Sequence, residues 1–265
     1  MTRIFSAIIL IPVSLLVVVF APPLLYLAGI GFIGTLCLYE YFRLMQAMDI
    51  RARSWLGYGA FWILLIVFYL NRLPALPILA LTVIAAFISA IWRIRIPARD
   101  RVSGLAAELL GILYISLCLY PALPIRYKFH AGLHWTLLLL LVTWGGDTFA
   151  LVAGKMIGKS PFAPVLSPKK TKEGALAGFI AGIGIAVALQ HFLFMELPLE
   201  HVVAISILLG IFGQLGDLAE SMIKRAAGIK DSSRLIPGHG GVLDRTDSLL
   251  FSFPVLYGYL LLIYN

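Results

Sequence analysis

The chain has 265 residues, 61% of them hydrophobic and only 13% charged, with a mean hydropathy of +0.96 and a formal net charge of +8. A soluble core of this size does not need so much apolar surface, and no polar stretch is long enough for a separate soluble domain. The positive balance does not indicate nucleic acid. Lys and Arg fall in short loops between apolar runs, where they orient the chain and meet anionic lipid or substrate.

The expected fold class is an all-α polytopic integral membrane protein, a single membrane domain over residues 1–265. About nine transmembrane helices are predicted, at roughly 4–20, 24–46, 56–70, 75–92, 104–121, 134–153, 174–195, 201–227 and 246–264. The first run follows Arg3 and resembles a signal peptide. Ala21-Pro22-Pro23 is a poor cleavage site and a second apolar run follows at once, so a retained span is expected. Pro22-Pro23, Pro74, Pro97, Pro124, Pro161, Pro164, Pro198 and Pro237 fall between spans or at their ends. Cys37 and Cys118 sit in apolar runs as packing residues, without a disulfide or zinc site. Residues 1–133 are read as a scaffold. Residues 134–265 are read as catalytic helices with cytoplasmic loops at 154–174 and 228–245.

With the N-terminus in the cytoplasm, 18 of the 21 Lys and Arg residues face that side and three, Arg72, Arg126 and Lys128, face the other. The positive-inside rule then places both charged loops in the cytoplasm and the C-terminus outside, in the cell's inner (cytoplasmic) membrane. Glu40 and Glu108 interrupt apolar runs. Glu40 stands three residues before Arg43 and can pair with it along one helix; Glu108 can pair between helices or face the charged cluster. Gly174, Gly178 and Gly182 recur every four residues, a spacing that lets two helices pack closely.

The loop after the sixth span holds Lys155, Lys159, Ser167, Lys169, Lys170, Thr171 and Lys172, with Asp147 near the span end. A Walker A reading of Gly154–Ser160 fails on spacing, and no strand precedes it. Thr171-Lys172-Glu173-Gly174 leads into a helix, whose N-terminus favours anions. The loop is therefore a candidate phosphate cradle, the alternative being a topogenic loop at lipid headgroups.

The densest polar stretch runs from Ser221 to Asp247. Asp217, Ser221, Lys224 and Arg225 share one helix face, and Asp244 and Asp247 share another at the start of the last span. The loop between them can fold back. Asp217 could then meet Asp244 and Asp247 around one or two hard cations, while Lys and Arg hold phosphate and glycines admit a ligand. Each residue has a plainer alternative as a helix cap, a membrane anchor or a loop residue. Together they suggest metal-assisted chemistry on a phosphorylated substrate.

Ser221, Lys224, Arg225, Lys230, Asp231, Pro237, His239, Gly240, Gly241, Asp244, Arg245 and Asp247 match every fixed position of a long signature. It resembles that of the phosphatidate cytidylyltransferases, the CDP-diacylglycerol synthases. Asp147-Thr148, Gly154, Gly158, Ser167 to Thr171 and Glu173-Gly174 also resemble the family. Phe149-Ala150-Leu151 departs from its frequent Gly-Ala-Tyr, and Ser233 stands where glycine is common.

The resemblance implies cytidylyl transfer from CTP to phosphatidic acid with magnesium, two cations being expected and a monovalent one left open. It implies a catalytic set of Asp217, Asp244, Asp247, Lys224, Arg225 and His239, with the three aspartates holding metal. It also implies substrate contacts from Asp147, Ser167, Lys169, Lys170, Thr171, Ser221, Lys230, Asp231, Gly240, Gly241 and Arg245. A homodimer is left open, and nucleic acid is not an expected partner. The rival readings are a polyprenol or phytol kinase, an archaeal-lipid cytidylyltransferase and a transporter. Transporters tend to show repeats and broken helices meeting at the bilayer midplane, whereas the charged residues here gather at one cytoplasmic edge, which favours an enzyme.

Overall fold

The computed structural model describes residues 2–52, 54–70, 75–192, 197–236, 238 and 240–264. A helix lies over each expected span. The helices are α1 (Thr2–Phe20), α2 (Pro23–Ala47), α3 (Ser54–Leu70), α4 (Ala75–Ile91), α5 (Ala98–Ile112), α6 (Ala122–Tyr127), α7 (Gly132–Ile157), α8 (Lys172–Phe192), α9 (Leu199–Ala226) and α10 (Leu243–Tyr264). A π-helical turn, Leu113–Leu117, continues α5. Among the described residues, six helical segments are long and apolar enough to cross a membrane: Pro23–Ala47, Ala98–Tyr127, Gly132–Ile157, Lys172–Phe192, Leu199–Ala226 and Leu243–Tyr264. Shorter apolar helices lie at Leu10–Phe20, Ser54–Leu70 and Leu76–Ile91. The chain is thus an all-α, multi-pass membrane protein.

Several helices outrun their expected spans, and the reason is physical. A hydropathy window ends at the first charges, whereas helical hydrogen bonding continues as long as backbone and caps permit. α5 begins at Ala98, with Asp100 in its first turn, where a carboxylate suits the positive helix end. The cytoplasmic loop expected at 154–174 contains a short antiparallel hairpin, β1 (Pro161–Ala163) and β2 (Ser167–Thr171), with Pro161 opposite Thr171 and Ala163 opposite Ser167.

The chain divides into two compact units. The first comprises Met1–Ile9, Pro22–Tyr120 and Ile223–Arg245. Its helices α2, α3 and α5 interlock small residues with aromatic rings. A Cβ added at Gly57 would come within 2.5 Å of the Phe42 ring, and one at Gly111 within 2.5 Å of Tyr41. Tyr41, Phe61, Leu38, Leu44 and Leu64 are fully buried there. The Tyr41 hydroxyl donates to the Ala107 carbonyl at 2.9 Å. The buried Arg93 donates to the Arg51 carbonyl at 2.9 Å and pairs with Glu108 at 3.3 Å. Glu108 on α5 is thus held by an arginine in the connection between α4 and α5.

The second unit comprises Leu10–Ala21, Pro121–Met222 and Thr246–Asn265. Its α7 and α8 approach through glycines. A Cβ at Gly178 would lie 2.5 Å from the Gly146 carbonyl, and one at Gly174 would lie 2.6 Å from the Ala150 carbonyl. The four-residue glycine repeat is a packing stripe. Arg126 donates to the Val18 and Val19 carbonyls at 2.7 and 3.2 Å, and the Tyr127 hydroxyl donates to Ala21 at 2.6 Å. These donors satisfy carbonyls that the end of α1 leaves without helical partners.

Candidate active site

In the first unit the site is built where α9 ends and α10 begins. Lys224 and Arg225 lie in the last turn of α9, where cations suit the negative helix end. Gly228 leaves that helix at φ +69°, and the Ile229 amide reaches back to the Lys224 carbonyl at 3.0 Å. A left-handed glycine closing the last turn is a common helix stop. The loop then folds on itself, with Ile236 bridged to Gly240, itself at φ +83°.

This fold-back converges on Asp244. Its Oδ2 accepts from the Ser232 amide at 2.9 Å, the Ser232 hydroxyl at 2.8 Å and the Gly241 amide at 2.8 Å. Its Oδ1 meets the Lys224 ammonium at 2.5 Å. The two side chains are 6% and 11% exposed. Asp244 therefore looks back into the loop. The Val242 and Leu243 amides at the start of α10 donate instead to Glu40 of α2, at 2.9 and 2.7 Å.

Glu40 is fully buried, whereas Arg43 is exposed and lies over the Tyr39 ring at 5.8 Å. The local Glu40–Arg43 pairing expected from spacing gives way to a long-range role. Four donors that bond a buried carboxylate directly serve it better than one ion pair in water.

Two further groups lie in the second unit. On α9, Asp217 forms an ion pair with Lys170 of β2, and the Ser221 hydroxyl donates to the same carboxylate at 3.4 Å. Lys170 is thus turned onto the acidic helix face, while Lys169 beside it is exposed. The loop is closed by Glu173, which accepts from the Lys159 and Ser160 amides at 3.1 and 3.2 Å. Thr171 Oγ1 accepts from the Gly174 amide at 3.1 Å and so caps α8. Ser167 is half-buried in the hairpin.

The other group joins α7 to α10. The Ser248 hydroxyl donates to Asp147 at 3.3 Å and lies 3.5 Å from Asp247, whose carboxylate also accepts from the Ser248 amide at 2.7 Å. Asp147, expected among the phosphate contacts, stands beside a carboxylate. The backbone of Gly216 packs against Asp247, and a Cβ there would lie 2.5 Å from the Asp247 carbonyl. The segments carrying Asp217 and Asp247 are therefore neighbours. A cleft beside them is lined by Gly146, Asp147, Phe179, Gly210 and Gln214.

Among the described residues no three His, Cys, Asp or Glu side chains form a ready cation cluster. The oxygen set of Asp147, Asp247 and Ser248 is nonetheless the donor chemistry that hard cations take. Arg225, Lys230, Asp231 and Arg245 are exposed around the loop, and His239 lies outside the described residues. The sequence reading missed the parts played by Ser232, Ser233 and Ser248. Serines carry no signal of their own, although Ser248 directly follows Asp247 and Ser232 directly follows Asp231.

Residues 1–263 match the model of the cytidylyltransferase family. The chain belongs to that family. A phosphatidate cytidylyltransferase of Staphylococcus haemolyticus (strain JCSC1435) is 46% identical over 125 residues, covering 47% of this chain and 48% of the relative. One from Staphylococcus aureus (strain COL) is 44% identical over 125 residues, again 47% and 48% of the two chains. One from Bacillus subtilis (strain 168) is 39% identical over 148 residues, 56% of this chain and 55% of the relative. The chain spans about half the length of these curated relatives.

Proposed function

We propose that this family member transfers a cytidylyl group from CTP to phosphatidic acid. A phosphatidate phosphate oxygen bonds to the α-phosphorus of CTP, and the bond from that phosphorus to the β-phosphate bridging oxygen breaks. CDP-diacylglycerol and pyrophosphate are the products. The observation that carries the reading is the convergence of the stretch from Lys224 to Asp244 on one carboxylate, with a lysine 2.5 Å from it. The family membership and the relatives' names support the choice of substrates.

The nucleophile is already an anion, so the reaction needs positioning and charge neutralisation more than a general base. Lys170, Lys169, Lys224 and Arg225 would hold phosphates, with Ser167, Thr171, Ser221, Lys230, Asp231, Gly240, Gly241 and Arg245 shaping the substrate pocket. His239 would orient groups. Magnesium would be held by Asp217, Asp244 and Asp247; Asp147, which shares the Ser248 hydroxyl with Asp247, would be a further carboxylate ligand. When bound, such a cation offsets charge on the α-phosphate and the departing pyrophosphate. We further propose nine spans, with the N-terminus and the charged loops on the cytoplasmic side of the inner membrane.

The test is to incubate purified protein with labelled CTP, phosphatidate and magnesium. A lipid-soluble CDP product supports the reading. A phosphorylated alcohol formed from a polyprenol, with no product from phosphatidate, sinks it.

A further inference from the structure

We infer that Glu40, on α2 in the half of the chain read as scaffold, is the positioning residue that sets the shape of the loop between α9 and α10. The inference rests on the reaction proposed above. A carboxylate with no exposed surface, set in a largely apolar helix, is tolerated only when donors surround it. Four donors stand within hydrogen-bond distance of Glu40. They are the Ser233 hydroxyl at 2.6 Å, the Ser232 hydroxyl at 2.8 Å, the Leu243 amide at 2.7 Å and the Val242 amide at 2.9 Å. Every donor comes from the one loop and the start of α10.

Three features turn this anchor into a positioning device. The two amides belong to the N-terminus of α10, so the carboxylate sits at the positive end of that helix and fixes where it begins. Asp244 follows one residue later. The Ser232 oxygen also lies 2.8 Å from both Glu40 and Asp244. A hydroxyl has one proton to donate, so Ser232 serves one carboxylate at a time and links their positions. Gly241, finally, has no room for a side chain. A Cβ there would run into the Ser232 hydroxyl and both Glu40 oxygens. The glycine is needed because Glu40 and the Ser232 hydroxyl it holds both stand there. Being fully buried, Glu40 does not touch substrate; it acts through Ser232, Gly241 and Asp244.

The experiment uses the full chain in detergent, with Glu40→Gln, Glu40→Asp, Gly241→Ala and the Glu40→Ala/Gly241→Ala pair beside Glu40→Ala. Glu40→Gln places an amide NH2 among four donors. It should lower kcat by about 10- to 100-fold while KM for CTP moves less than about threefold. Glu40→Asp keeps the charge and should recover part of the loss. Trypsin gives the independent readout, because Lys230 and Arg234 are exposed in this loop and Lys169 is exposed in the other. Glu40→Gln should speed cleavage at Lys230 and Arg234 by about tenfold, through local opening, and leave Lys169 unchanged. Gly241→Ala should cost about tenfold in kcat in the native background and much less once Glu40 is Ala, the non-additivity of residues in contact.

Equal acceleration at both loops, or native kcat and native cleavage in Glu40→Gln, overturns the inference. If the native protein makes no CDP-lipid, the proposed reaction fails. The cleavage pattern still decides whether Glu40 holds the loop.

Discussion

Replacing Asp244 by Asn tests the electrostatics of the loop and the proposed chemistry separately. The Asp244 and Lys224 side chains are 6% and 11% exposed, with oxygen and nitrogen 2.5 Å apart. Asn keeps the size and can still accept from Ser232 or Gly241, but its NH2 then faces the Lys224 ammonium, donor against donor, and the ion pair is gone. Breaking a buried pair from one side costs about 3–5 kcal/mol, because the remaining charge stays desolvated. The residual exposure of Lys224 places this case near 3 kcal/mol. For a chain of this size that corresponds to a fall in Tm of roughly 6–12 °C. The Cys37 thiol has no exposed surface, so a thiol-reactive dye in detergent reports the melt. The double variant Lys224→Met/Asp244→Asn removes both charges and should regain most of the lost stability. Turnover should fall by about two orders of magnitude or more in the single variant and stay low in the double one. A single variant melting within about 1 °C of the native protein would refute the buried-pair argument. Near-native, magnesium-dependent turnover would refute the proposed role of the carboxylate.

Two other outcomes follow from the same geometry. Lys170 pairs with Asp217 while Lys169 is exposed, so Lys170→Ala should raise KM for CTP more than Lys169→Ala does; equal, unchanged kinetics with a disturbed membrane orientation would return the loop to a topogenic role. For topology, a cysteine at the exposed Arg234 should label only from the cytoplasm and one after Tyr264 only from outside. Ser233 is unsuitable as a reporter because it is buried against Glu40, and labelling of both sites from one side requires an even number of spans.

Helix existence was legible because an apolar run in a chain of this composition admits one backbone solution in lipid. The edges were not, because hydropathy stops at the first charge while α5, α7 and α10 continue past it. The hairpin over Pro161–Thr171 is too short to show a period of two, and its prolines read as breakers. Within the site, the spacing of Asp217, Ser221 and Lys224 predicted a shared face, and Ser221 does bond Asp217. What spacing could not predict was which cation answers which carboxylate. Asp217 takes Lys170 from the hairpin and Asp244 takes Lys224 from α9, and nothing in a one-dimensional pattern chooses between them.

Glu40 shows the same limit more sharply. Its nearest basic neighbour in sequence, Arg43, offered a local explanation that helical spacing permits. The explanation fails on burial. A glutamate on the exposed side of α2 would keep its charge in water beside Arg43, whereas one turned inward must find donors on other segments. Those donors lie about 190 to 200 residues away in the chain, and two of them are backbone amides, which are the same whatever residue carries them. No side-chain pattern announces such a partner. The one sequence mark it leaves is Gly241, whose missing side chain makes room for the carboxylate and the Ser232 hydroxyl bonded to it, and that mark becomes readable only once Glu40 is seen beside it.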